Sequence, residues 1–217
     1  MKIFTIDFWR ENIIFLVIIL YQVITLITKC FLKTKDLMAN FYSEQLAQEQ
    51  IEQLLESQEK WAWVGYTILP LIILIRSSLV AICLSVGLFF YDTDNKTKFK
   101  QLFRVALLGE FVLVLVGYFK FAYFYFIKTN YTLEDLQQFY PLSYTNFLDL
   151  ENISPWLVYP LQTVNLFEIA YFFVLVYGIH KLLQNKYAKS FEMVAVSYGT
   201  GLVIWLGLVM FLTLNMT

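Results

Sequence analysis

One apolar, aromatic-rich stretch decides how the rest of the chain is interpreted. Residues 155–180 read PWLVYPLQTVNLFEIAYFFVLVYGIH, a run long enough to cross a hydrocarbon core of about 30 Å as a helix. The run nonetheless carries Gln162, Asn165 and Glu168. Polar groups in lipid are costly without partners, so these side chains must face other protein or a wet cavity. The pattern predicts a polytopic membrane protein with a polar seam inside its helical bundle.

The composition of the 217 residues indicates the same class. Charged residues make up 15% of the chain, against about 25% in an average soluble protein. The net charge is -1 and no long Lys/Arg run is present, which excludes nucleic acid as a partner because phosphate binding needs a basic face. We expect the partners to be membrane lipids and other integral membrane proteins. A small-molecule solute is an open alternative that the composition does not support.

Five segments have the length and apolar character of membrane spans. They are residues 12–28, 61–91, 102–127, 156–180 and 194–214. The connection 128–154 contains a candidate short helix, from Tyr131 to Tyr140, that Thr132 can cap and Pro141 can stop. The sequence therefore predicts an all-α membrane bundle that forms a single domain.

The polar segment between the first two spans has helical periodicity. Within residues 43–60, Ile51, Leu54 and Leu55 share an apolar stripe. The adjacent face is acidic and consists of Glu49, Glu52, Glu56 and Glu59. We expect an amphipathic helix continuous with the second span. An acidic face suits an anionic lipid surface poorly, which leaves a solvated helix at the edge of the bundle or a docking face for a partner.

Four ionisable residues lie inside the predicted spans: Arg76, Glu110, Lys120 and Glu168. Such groups indicate function by default, but two acids and two bases can also pair and hold the helices in register. Arg76 and Glu168 lie near the middle of their segments and are the first pair expected. Glu110 and Lys120 are about 15 Å apart along one helix and cannot pair with each other. Structural pairing is the favoured interpretation, and a solute or proton path is the alternative.

Small residues recur at helical spacing on two spans. Ser77, Ala81 and Ser85 lie four residues apart on the second span. On the fifth span the candidate packing positions are Ala195, Gly199 and Gly201. Faces of this kind let helix backbones approach closely, so both are predicted to be packing surfaces, within the chain or with another subunit.

Patterns typical of enzymes are missing from the sequence. The chain has one histidine, His180, and two cysteines, Cys30 and Cys83, in no metal-binding or nucleophilic arrangement. No G-x-S-x-G or P-loop pattern occurs. We therefore expect a non-enzymatic protein without a metal or cofactor.

Residues 165–205 read NLFEIAYFFVLVYGIHKLLQNKYAKSFEMVAVSYGTGLVIW. This segment resembles the last two spans of the Yip (Ypt-interacting protein) family in its broad, prokaryote-containing sense. The shared features are the Asn-x-Phe start at Asn165, Gly178 near the end of the helix, Ser190 in a short basic loop and a glycine-bearing final span. The number of spans is also similar. The resemblance implies a non-enzymatic membrane protein that acts through partners in trafficking, secretion or membrane organisation.

Lys and Arg are more numerous in the connections 92–101 and 181–193 and before the first span than in the other connections, which favours a cytoplasmic N-terminus and an external C-terminus. Lys29, Lys33 and Lys35 argue the other way. The composition resembles that of bacterial inner-membrane proteins. The expected function is a scaffold or accessory subunit of a membrane complex, docking through the acidic helix and the connection 128–154. A small transporter or permease-like component is second, and an enzyme of membrane lipids is third.

Overall fold

A computed structural model of the chain describes residues 2–43, 46–91, 97–149 and 153–216. Its regular elements in these ranges are helices, which confirms the predicted all-α bundle. They are α1 (Lys2–Phe31), α2 (Thr34–Tyr42), α3 (Gln48–Tyr91), α4 (Phe99–Ala122), α5 (Leu133–Gln138), α6 (Pro155–Thr163), α7 (Leu166–Leu183) and α8 (Tyr187–Met216). A π-helical turn, Tyr123–Ile127, extends α4, and a 3-10 turn, Tyr144–Phe147, lies before α6.

Five of the described helices are long and apolar enough to cross a membrane. Their spanning parts are Asn12–Phe31, Gln48–Tyr91, Phe99–Ile127, Leu166–Leu183 and Tyr187–Asn215. The amphipathic segment does continue into the second span, because α3 runs without a break from Gln48. The described helix thus begins five residues later than the predicted start at residue 43.

Helices α3, α4, α7 and α8 pack in a ring around one apolar core. In the ring α4 lies between α3 and α7, and α8 lies between the same two helices on the other side. The core includes Leu84, Val105, Leu175 and Met193, one from each helix. Helix α1 packs outside the ring against α4, and α6 packs against α8. Helices α1 and α6 are therefore peripheral, and α3, α4, α7 and α8 enclose the core.

The two ends of the bundle differ in the length of their connections. We call the end where α3 ends and α8 begins the short-loop face, and there Tyr91 and Glu192 are joined by a 3.4 Å hydrogen bond. We call the opposite end the long-loop face, because residues 128–149 lie there. On that face the Tyr131 hydroxyl donates to the Leu32 carbonyl at 3.2 Å.

A proline inside α3 creates an attachment point for α1. Pro70 has no N–H, so the carbonyl of Tyr66, four residues earlier, loses its helical donor. The Gln22 side chain of α1 donates to that carbonyl at 2.7 Å. The freed backbone group is satisfied by a neighbouring helix, as a lipid environment requires.

The predicted span 156–180 is wrong as a single helix. Helix α6 ends at Thr163, and α7 begins at Leu166 after Asn165, which has extended backbone angles of φ -142° and ψ 161°. The Asn165 side chain accepts a 2.8 Å hydrogen bond from the Glu168 N–H and so caps α7. The break lies about 27 Å along α7 from Leu183, which places it within a membrane-spanning hairpin with α8.

A loop from the long-loop face closes the break. Ser143 and Asn165 face each other as an isolated antiparallel bridge. Its backbone hydrogen bonds run from Tyr144 to Val164 (3.1 Å) and from Leu166 to Leu142 (3.2 Å). The Asn165 amide also donates to the carbonyls of Gln162 and Thr163, at 2.8 and 3.1 Å. Irregular backbone at this depth is tolerated only where protein satisfies it, and the 142–144 segment provides the groups that do so.

Glycines at ring contacts give a direct test of this packing. A Cβ added at Gly178 of α7 would lie 2.5 Å from Val105 Cγ1 of α4, whereas one added at Gly65 of α3 meets nothing within 4 Å. We expect Gly178→Ala to lower the unfolding free energy by about 1–3 kcal/mol, since over-packing outweighs the better helix propensity of Ala. Thermal unfolding in detergent measures the change. Gly65→Ala is the control, and equal stability of the two variants would contradict the packing.

Candidate functional site

An ion pair joins α3, α4 and α1 inside the bundle. Arg76 donates from Nε to Glu110 Oε1 at 2.9 Å and from Nη2 to the other carboxylate oxygen. The Tyr21 hydroxyl accepts from Arg76 Nη2 at 3.0 Å and donates to Glu110 Oε2 at 3.1 Å. Ser77 adds a weaker 3.4 Å contact to the carboxylate, which is fully buried. The Glu110 charge is therefore matched by one cation, Arg76, and two hydroxyl donors, those of Tyr21 and Ser77.

This pairing corrects the expected pairing of Arg76 with Glu168. The pair was expected because Arg76 and Glu168 lie at similar depths in their segments. Which residues pair depends instead on which helices are adjacent in the ring. Helix α3 packs against α4 and α8, and α7 lies across the ring from it. Arg76 therefore reaches Glu110 on the adjacent helix, while Glu168 is left to other neighbours.

The outer side of Arg76 remains open. Its side chain is 44% exposed on the surface of the bundle, about 22 Å along α3 from Tyr91. In the described chain its Nη1 group, with two N–H donors, has no hydrogen-bond partner. Ile72 and Leu79, one turn to either side, are exposed apolar side chains. A polar guanidinium edge thus interrupts an apolar surface at membrane depth.

A second polar cluster lies at the start of α7. The Tyr198 hydroxyl of α8 donates to Glu168 Oε1. The Tyr171 ring packs 5.5 Å from the Tyr198 ring, centroid to centroid, and lies directly over Gly109 of α4. Tyr171 is 1% exposed, and in the part of the chain that the structure describes its hydroxyl has no hydrogen-bond partner. Gly109 precedes Glu110 in the sequence, and Tyr198 binds Glu168. Tyr171 therefore contacts one residue next to each acid and lies between the Glu110 cluster and the Glu168 cluster.

The remaining members of the predicted seam do not join either cluster directly. Gln162 contributes its backbone carbonyl, which accepts from Asn165, and no side-chain hydrogen bond. Lys120 has no ion pair or hydrogen bond within the described residues, and it lies about 15 Å along α4 from Glu110. The structure therefore replaces one continuous seam with two clusters and a helix cap.

The predicted small-residue faces are only partly packing surfaces. Ser77 and Ala81 are fully buried, whereas Ser85 and Ala195 are half-buried. A Cβ at Gly201 would lie 2.6 Å from the Cys83 sulfur of α3. Gly199 has no neighbouring atom within 4 Å of such a Cβ, so its predicted packing is not made within the described chain and stays a prediction for contact with another subunit.

The acidic face of α3 lies outside the apolar bundle. Glu49, Glu52 and Glu56 are exposed, and Glu59 forms an ion pair with Lys35 of α2. Ile51 on the neighbouring stripe is buried. The segment thus has one covered side and one acidic side available to a partner.

A cleft of about 270 Å³ lies on the long-loop face beside α5. Lys128 pairs with Asp135 across it at 2.8 Å. Thr132 caps α5 as predicted: its hydroxyl accepts from the Asp135 N–H at 3.1 Å, and its own N–H donates to the Asp135 carboxylate at 3.0 Å. Asp135 therefore holds α5 to the end of the π-helical turn that extends α4.

The tyrosines of the site were missed from the sequence. Tyr21 and Tyr198 complete the two clusters, but tyrosine is common at many depths of an aromatic-rich chain and carries no distance information. A signal for the break was present, because Asn165 and Glu168 have the spacing of an N-cap and the third helical residue. The surrounding apolar run concealed it.

We expect Glu110→Gln to destabilise the protein strongly. The substitution leaves the Arg76 guanidinium without a counter-charge, and removing one partner of a buried pair costs about 3–5 kcal/mol. Unfolding free energies in detergent measure the loss, with Glu192→Gln at the short-loop face as the control. The double variant Arg76→Gln/Glu110→Gln should lose less than the sum of its single variants, and strict additivity would contradict the pair.

The stability of α5 should depend on pH through Asp135. The hydrogen bond from Lys128, and next the Thr132 N–H, hold the pKa of Asp135 below its usual value of 3.8. A pKa lower in the folded state stabilises the fold above 3.8, and this contribution is lost as the pH falls through the folded value. Amide protection factors of α5 should therefore drop in acid. Asp135→Asn should remove this dependence and Glu134→Gln should keep it; an identical acid response in Asp135→Asn would contradict the assignment.

Comparison with known proteins adds no relative. No protein-family model, curated protein or solved structure matches the chain. The resemblance to the Yip family therefore stays a prediction. The structure shows an all-helical protein whose described part contains five helices long and apolar enough to cross a membrane.

Proposed function

We propose that this chain is a non-enzymatic scaffold or accessory subunit of a larger membrane assembly. The observation that carries the proposal is the open edge of Arg76. An N–H group that faces hydrocarbon without an acceptor costs several kcal/mol, and Arg76 Nη1 carries two. A transmembrane helix of a partner, packed along this surface of α3, can supply the acceptor.

The charge balance indicates what kind of acceptor fits. Glu110 already neutralises Arg76, so a second carboxylate would add an uncompensated negative charge at membrane depth. A neutral acceptor avoids that charge, and the oxygen of an Asn or Gln side chain is the simplest example. Exposed Ile72 and Leu79 provide the apolar contact on either side. The surface thus suits a mostly apolar helix with one amide.

A second surface lies outside the hydrocarbon. The exposed acids Glu49, Glu52 and Glu56 present a charged face that favours a basic, water-exposed segment of a partner. Membership of a Yip-like group, a bacterial inner membrane and a cytoplasmic N-terminus belong to the same proposal. Under that orientation this face lies outside the cell.

A small transporter or permease-like component is the second candidate. The discontinuous helix α6–α7 favours it, because broken helices at membrane depth form binding sites in many transporters. In this chain, however, the carbonyls of Gln162, Thr163 and Val164 at the break already accept hydrogen bonds from protein. They are therefore less available to an ion or solute, and the subunit function is better supported.

A photo-crosslinking residue at Ile72 should capture a transmembrane partner in native membranes, whereas one at exposed Phe173 of α7 should not. Arg76→Lys keeps the charge beside Glu110 but removes the planar donor fork, and we expect capture to fall about tenfold because a hydrogen bond to a charged group contributes about 1.5–3 kcal/mol. Recovered cross-linked complex measures the change. Reversing the charge in Glu52→Lys and Glu56→Lys should also reduce capture if the acidic face takes part.

The opposite results are equally clear. Purification of the chain as a lone monomer, without a cross-link at residue 72, would contradict the subunit function. A solute flux in liposomes that contain only this chain would favour the transporter instead.

A further inference from the structure

The charges inside the bundle do not balance. Arg76 and Glu110 neutralise each other, which leaves Glu168 as an additional carboxyl group. Within the described residues no Lys, Arg or His forms an ion pair with it. Lys120, the second cation of the predicted seam, forms no ion pair with it either. A carboxylate with no counter-charge at membrane depth is expensive, whereas a carboxylic acid is not.

The groups around Glu168 come from every element packed against α7. Tyr198 of α8 donates a hydrogen bond to its carboxyl group. Arg76 of α3 attracts its charge at longer range, and Glu110 of α4 repels it. Tyr140 of the long-loop connection also lies within its electrostatic range. The only cation among these neighbours is already paired with another acid, so the surroundings supply hydroxyl groups but no free positive charge.

Tyr171 provides a second, independent observation. Its hydroxyl is buried, has no hydrogen-bond partner among the described residues and lies within electrostatic range of both Glu110 and Glu168. A buried hydroxyl without a partner is costly and rare, and a Tyr hydroxyl can act as donor or acceptor. Within the described residues it is therefore an unused donor in the electrostatic field of both acids.

We propose that Glu168 is an intramembrane proton-binding site and that the Tyr171 hydroxyl links it to the Arg76–Glu110 pair. When the proton is bound, Glu168 is a neutral acid that accepts the Tyr198 hydrogen bond, and the interior is electrically neutral. When the O–H bond of the acid breaks, the proton passes to water and a carboxylate remains. The Tyr171 hydroxyl then has a charged acceptor on the Glu168 side as well as on the Glu110 side.

This site does not depend on the partner proposed above. The subunit function rests on the outer edge of Arg76, whereas the proton site rests on an interior carboxyl group and an unpaired hydroxyl. The ligand is a proton because the described residues leave no room at the site for anything larger. The Tyr171 ring fills the space over Gly109, and Tyr198 contacts the carboxyl group.

Infrared difference spectroscopy on the full chain in lipid nanodiscs tests the proposal. Spectra at neutral and alkaline pH should contain a protonated-carboxyl C=O band that is lost on alkalinisation. Glu168→Gln should abolish the band. Glu134→Gln, at an exposed position of α5, should leave it unchanged.

Two further variants keep the test informative if Glu168→Gln does not fold. Tyr198→Phe removes the hydrogen-bond donor and should shift the band to higher frequency. Tyr171→Phe should keep the band and change the pH at which it disappears. Absence of the band from the wild-type protein, or a band that survives Glu168→Gln unchanged, would overturn the proposal, as would a band insensitive to both tyrosine substitutions.

Discussion

The absence of water from the hydrocarbon region is the constraint on which this structure depends. Every backbone or charged group that leaves the regular helical pattern must find its partner in the protein. The buried carboxylate of Glu110 on α4 illustrates the rule most fully, because two other helices, α1 and α3, contribute donors to it. The ion pair is consequently less a source of net stability than a fixed point for the arrangement of α1, α3 and α4.

The same constraint explains the two irregular places in the spans. Pro70 removes one donor from α3, and a side chain of α1 replaces it. The break before Asn165 removes several donors and acceptors at once, and a loop is brought to that depth to replace them. In both cases the irregularity and its compensation come from different parts of the chain. These compensating hydrogen bonds hold the peripheral elements, α1 and the 142–144 segment, in place where apolar packing alone is weak.

The sequence predicted much of this fold because length and hydrophobicity are local properties. The helical class, the junction of the amphipathic segment with the second span and the Thr132 cap all follow from short windows of residues, whereas whether residues 61–91 form one helix or a broken one does not. The partner of Arg76 does not, since it depends on which helices are adjacent in the ring. The bridge that closes the helix break at Asn165 depends on Ser143. The two residues are too far apart in the sequence for a short window of residues to contain both. The Gly199 position shows the same limit, because spacing identifies a face but not what covers it.

Helix α1 has a consequence for the order in which the protein is made. Three successive residues, Leu20, Tyr21 and Gln22, form polar contacts with α3 and α4. Within this sequence α1 leaves the ribosome before those partners exist. Its polar groups therefore have no hydrogen-bond partners on α3 and α4 until those helices have been synthesised and inserted. Helix α1 thus reaches its final register only after α3 and α4 have been inserted.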